Sequence, residues 1–163
     1  MRFLIMAFSA LIGFSGCSNK EAFDMFKMDE AHERSVEQLR TEAIVQSLET
    51  KAIISTIYLN PIYPKTYKDG EYFIGAFYFE KGNQDVKKWD IYTYGYTLTL
   101  NGKKPTLIEE LKESDPKRAL IPVQNNWNKY YFICFDHVPE GTLTLLLENN
   151  QTGSVALSYQ KGK

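Results

Sequence analysis

The chain has few of the residues that make covalent frameworks or metal sites, with only 2 cysteines and 2 histidines among 163 residues. His32 and His137 stand too far from other ligand types for a zinc-like spacing, so neither a metal nor a cofactor is expected. Charge of one sign is missing as well, because 19 basic residues face 20 acidic ones. Such a balance leaves no electrostatic footprint for nucleic acid. The longest apolar or small-residue run, Phe3 to Phe14, falls short of the ~20 residues that a permanent membrane-spanning helix needs. There is no internal repeat, no G-x-x-x-x-G-K-[ST] phosphate loop and no G-x-S-x-G nucleophile elbow, which lowers the expectation of an enzyme. Glu109, Glu110, Glu113 and Asp115 do cluster, but Lys112 and Lys117 alternate with them and the stretch reads as a solvated face.

What the chain has in quantity is aromatic residues: 11 Tyr, 10 Phe and 2 Trp favour strands and point to an all-β body. Its start is equally distinctive. Met1-Arg2 is a short positive beginning, Phe3 to Phe14 is apolar, and the small residues Ser15 and Gly16 precede Cys17, the three regions of a secretory signal peptide. Phe14-Ser15-Gly16-Cys17 further resembles the lipobox of bacterial lipoproteins. The resemblance implies cleavage before Cys17 and a diacylglyceryl group on its thiol, so that several acyl chains hold the mature protein on a membrane. Ser18 follows the cysteine, where Asp would resemble an inner-membrane retention signal, so the expected address is the bacterial cell envelope with the outer membrane favoured. Cys134 then has no partner within the chain and is expected to be a small buried hydrophobe.

Beyond the leader, 1–16, the reading divides the chain into a lipidated N-terminus with an amphipathic helix, 17–51, and a β-sandwich domain, 52–163. From Glu21 to about Lys51 there is no Pro or Gly, and Val36, Leu39, Ala43, Ile44 and Leu48 recur at near-helical spacing. Strands are expected at Ile53 to Leu59, Glu71 to Glu80, Asp90 to Leu100, Tyr130 to Val138, Thr142 to Glu148 and Ser154 to Tyr159, with a brief one at Ala119 to Val123. Thr106 to Lys112 reads as a short helical turn or loop. Glu71 to Glu80 is apolar on both faces and should be central. Tyr92, Tyr94, Tyr96, Leu98 and Leu100 alternate with threonines, as in a strand with one wet face. Asn101-Gly102 is a two-residue turn signal. Short strands with frequent turns predict an antiparallel β-sandwich of immunoglobulin-like type preceded by one N-terminal α-helix, with a small open β-barrel as the alternative.

Candidate sites are few. Cys134, Asp136 and His137 invite a Cys-His reading, yet alternation along a strand sets Cys134 and Asp136 on one face and His137 on the other, so no catalytic residue is assigned. Trp89 and Trp127 are the candidate binding residues, Trp127 lying in the amide-rich Gln124-Asn125-Asn126-Trp127-Asn128. Glu148-Asn149-Asn150-Gln151-Thr152 resembles the extended acceptor sequon of bacterial N-oligosaccharyltransferases, which makes Asn150 a candidate glycosylation site. Two classes of function stay open. One is a non-catalytic envelope lipoprotein that binds an envelope protein or glycan; the other is an enzyme or enzyme accessory acting on a cell-wall or secreted substrate.

Overall fold

A computed structural model describes residues 30–80, 91–122, 124–139 and 141–161. Among them, helix α1 (Glu30–Gln38) leads into strands β1 (Leu39–Gln46), β2 (Glu49–Tyr58), β3 (Gly70–Phe79), β4 (Thr97–Leu100), β5 (Leu107–Glu110), β6 (Lys129–Asp136), β7 (Thr142–Asn149) and β8 (Gly153–Gln160). A 3-10 helix (Pro116–Leu120) separates β5 from β6, its first turn capped by Asp115, whose carboxylate accepts from the Lys117 N–H at 2.9 Å. The strands form two antiparallel sheets, β1-β2-β3-β6-β5 and β4-β7-β8, that do not close into a barrel. The fold is a mainly β sandwich with an N-terminal helix, as the spacing of apolar residues predicts.

Period-two patterning decides which side chains meet between the sheets. Ile54 and Tyr58 of β2, Phe73, Phe77 and Phe79 of β3, and Tyr131, Ile133 and Phe135 of β6 face Leu98, Leu100, Leu143, Leu145, Leu147, Leu157 and Tyr159 from the smaller sheet, all buried. Phe73 lies 5.3 Å from Tyr159 and Phe77 lies 5.5 Å from Tyr131, both edge to face. Gly75 is required where β2 and β3 crowd, because a Cβ there would stand 2.6 Å from the Thr56 methyl and 2.7 Å from the Phe77 ring. The outer face of the larger sheet carries a second apolar layer, Ile57, Leu59, Ile74, Leu111, Ile121, Tyr130 and Phe132, with Ala31 and Leu39 packed on it. β3 is therefore central and covered on both sides, the arrangement its unbroken apolar run predicts.

Several expectations need correction. The helix expected from Glu21 to about Lys51 ends at Gln38 within the described residues, and Leu39–Gln46 is a strand paired antiparallel with β2. The sheet thus begins well before residue 52. Only Ile44 of β1 is buried, so the strand shows no apolar alternation and its few apolar residues mimic a helical period. Thr106 to Lys112 is not a helical turn: Leu107–Glu110 pairs with β6 as an edge strand. Ala119 to Val123 is not a strand, since the 3-10 helix occupies its first part, and Val123 lies outside the described residues. The strand expected from Asp90 begins only at Thr97; residues 91–95 form turns and Tyr92 is half exposed. Thr99 is buried, so β4 has no wet face there. Asn101-Gly102 does turn the chain with positive φ at both residues, but a single bridge, Leu100 to Lys103, follows before the chain crosses to the other sheet.

The β1–β2 hairpin turns through Ser47 and Leu48, at φ of 52° and 67°, a turn geometry that normally takes Asn-Gly. Leu48 is 99% exposed, so no burial offsets the strain of its Cβ. Leu48→Gly is expected to raise stability by about 0.5–1 kcal/mol. Urea titration checks this, and a loss of stability would mean that Leu48 makes a contact in solution.

Candidate functional site

The register of the larger sheet creates the site. On its outer face Thr41, Ser55 and Ala76 stand side by side across β1, β2 and β3. Leu39, Ile57 and Ile74 flank this small row on one side, and on the other Ile53 and Tyr78 rise beside the small Ala43. Small side chains between larger ones leave a trough, and a cavity of about 540 Å³ lies there. That volume is typical of ligand sites. The trough also reaches Ile121, Pro122 and Trp127 from the segment that joins the 3-10 helix to β6. Among the described residues no charged side chain lines it.

Trp127 is held in place by its neighbours. The Asn125 carboxamide oxygen accepts from the backbone N–H groups of Trp127 at 3.2 Å and Asn128 at 2.8 Å, an Asx-type turn. The Asn125 N–H donates to the Tyr130 hydroxyl at 2.8 Å, and Tyr130, buried on β6, carries the Arg118 guanidinium 4.0 Å above its ring. Gln124 donates to the Arg118 carbonyl at 2.8 Å. Two of the amides that the sequence offers as ligand contacts therefore serve the loop itself. Among the described residues the Asn128 carboxamide and the Asn125 amino group make no hydrogen bond. Trp127 is 62% exposed, a large aromatic surface left open to solvent.

The other candidates lie elsewhere. Cys17 and Trp89 fall outside the described residues. Asn150 is exposed in the turn between β7 and β8, where Asn149 accepts from the N–H groups of Gln151 and Thr152, and the Thr152 hydroxyl sits 3.1 Å from that of Tyr96. Cys134 is half buried against the outer apolar layer. Burial, with a smaller push from the Glu109 carboxylate, raises its thiol above the ordinary range. Asp136 is exposed, and His137, just past the end of β6, lies beside Glu71 and Lys161 rather than Cys134. A raised, half-buried thiol is a poor nucleophile. In native protein Cys134 should therefore react with iodoacetamide at least 10-fold more slowly than in urea; equal rates would contradict this placement.

One polar cluster escapes the sequence reading. Glu71 shares the inward parity of Phe73 and Phe77 and is fully buried at one end of the sandwich. Its carboxylate accepts from the Tyr58 hydroxyl at 2.6 Å, the Val138 N–H at 2.9 Å and the Lys161 ammonium at 2.6 Å, with His137 Nδ1 at 3.6 Å. Lys161 also donates to the Val138 carbonyl, so the pair fastens the β6–β7 connection to the end of β8. Both Glu71 carboxylate oxygens accept from these donors, an arrangement that clamps the end of the sandwich. An acidic residue on the inward parity of an otherwise apolar strand is the signal that could have revealed it. Among the described residues no group of three or more His, Cys, Asp or Glu is placed to hold a metal.

Fold and trough together define a two-sheet sandwich that presents on one face an aromatic-edged groove, uncharged among the described residues. No family model matches the chain, and neither a curated protein nor a solved structure does.

Proposed function

We propose that the chain is the precursor of a non-catalytic bacterial envelope lipoprotein, anchored by acyl chains on Cys17, whose sandwich binds an envelope protein or glycan in the Trp127 trough. The outer membrane is the favoured address, on the strength of Ser18. Support for the anchor comes from the leader and from Ser15-Gly16-Cys17 alone. No helix among the described residues is long and apolar enough to cross a membrane. The observation that carries the binding role is the Thr41-Ser55-Ala76 row with an exposed Trp127 beside it. An aromatic anchor at a concave, uncharged surface is the usual hot-spot chemistry of a binding module.

The anchor is tested by intact-mass spectrometry of protein extracted from membranes, together with a thiol count after denaturation. The expected species begins at acylated Cys17 and shows one reactive thiol, that of Cys134, because the Cys17 sulfur is held in a thioether. Two reactive thiols on a water-soluble chain would remove the anchor. Cys17→Ser should leave the uncleaved precursor without lipid.

A further inference from the structure

We infer that the trough takes a neutral saccharide chain, a narrowing that rests on the binding role proposed for the same site. Each part of the lining contributes. With no acidic or basic side chain along it among the described residues, an ionic ligand would find no opposite charge there. The Thr41 and Ser55 hydroxyls, bonded to each other at 2.9 Å, form a polar stripe on the floor, and the Thr50 hydroxyl lies in the same lining. The Asn128 carboxamide adds a donor and an acceptor, neither engaged among the described residues. Trp127 and Tyr78 supply the aromatic faces.

An acyl chain would satisfy the aromatic and aliphatic walls but offer the Asn128 carboxamide no partner and the Thr41–Ser55 pair no further hydrogen bond, which disfavours it. An extended peptide binds best by adding a strand to a sheet edge, and this trough lies on the face of β1, β2 and β3 and runs across them, not along the free edge of β1. A sugar ring offers what remains: an apolar C–H face to stack on indole and hydroxyls around its rim to meet Ser, Thr and Asn groups. Three neighbouring strands give a floor roughly 10 Å long, and the flanking rows limit its width. The floor is closed toward β6 by Tyr130, the register partner of Ala76. A short run of uncharged sugar units lying across the strands is the occupant that these features fit.

The test is isothermal titration calorimetry on the full mature lipoprotein in detergent. The probes are maltotetraose and the N-acetylglucosamine tetrasaccharide, with laurate and an uncharged apolar hexapeptide as comparators. At least one tetrasaccharide should bind saturably, Trp127→Ala should weaken it at least 10-fold, Trp127→Phe should keep it within about 3-fold, and Ser55→Leu, which fills the floor, should abolish it. Circular dichroism melts of each variant separate lost binding from lost folding, and the exposed position of Trp127 keeps the test open if Ser55→Leu fails to fold. Trp127-dependent binding of laurate or the hexapeptide without either saccharide would overturn the saccharide class and leave the trough as the binding site. Saccharide binding indifferent to Trp127→Ala would place the ligand elsewhere and overturn both. Binding of no probe overturns the neutral-saccharide assignment, while the binding role itself is read separately by crosslinking from position 127.

Discussion

Lys161→Ala should destabilise the protein by about 3–5 kcal/mol, the range seen when one partner of a buried ion pair is removed. Glu71 has no solvent-exposed surface, and its side chain points between the sheets at the end of the sandwich. With Lys161 gone, the carboxylate keeps the Tyr58 hydroxyl and the Val138 N–H but loses the one mostly buried opposite charge beside it among the described residues. His137 is more than half exposed and 3.6 Å away, so it replaces little of that interaction. Removing both charges, in Glu71→Gln with Lys161→Met, should recover most of the loss, because a buried pair exchanged for neutral groups of similar shape is often nearly neutral. Urea unfolding of the three proteins reads both effects. A loss below about 1 kcal/mol for Lys161→Ala would mean that water reaches Glu71 in solution.

Phe77→Ala should cost a similar amount, about 3–5 kcal/mol, by a different mechanism. Phe77 is fully buried on the central strand, its ring packed against Phe79 and edge-on to Tyr131, so its removal leaves a cavity in the core. Ser158→Ala, on the exposed face of β8, should stay within about 0.5 kcal/mol. Equal effects at the two positions would mean that the assignment of inner and outer faces is wrong. Unlike the Lys161 loss, the Phe77 loss should not be recovered by a second polar substitution.

The difference between those two sites also explains what can be read from the sequence. Phe77 belongs to a run apolar on both parities, and such a run is legible as a central strand without coordinates. The last two strands are legible too, because Thr142 to Glu148 and Ser154 to Tyr159 alternate and turn residues flank them. β1 was not legible: seven of its eight residues are not buried, so pairing with β2 rather than hydrophobic periodicity holds it in the sheet. β5 is hidden in the same way, being a four-residue edge strand with two glutamates. Tyr92, Tyr94 and Tyr96 have strand-like spacing, but Gly95 at φ 71° turns the chain, and its N–H donates to the Tyr92 carbonyl.

At the candidate site, Trp127 stands out in the sequence as an aromatic residue in a polar loop, and the structure leaves it exposed. The trough beside it could not be read, because it depends on which residues of β1, β2 and β3 stand abreast. A one-residue change in register would send Thr41 or Ser55 to the other face and erase the small row. The amides of Gln124 and Asn125 were legible as polar but not as braces for the loop, since that role depends on their meeting Arg118 and the backbone of Trp127 and Asn128.

Photo-crosslinking in intact cells tests the binding role most directly, with benzoylphenylalanine placed at position 127 in one strain and at position 158 in another. A discrete adduct is expected from position 127, reduced when Ser55→Leu fills the trough, and none from position 158 on the opposite sheet. Adducts of equal yield from both positions, or from neither, would contradict a binding site at the trough.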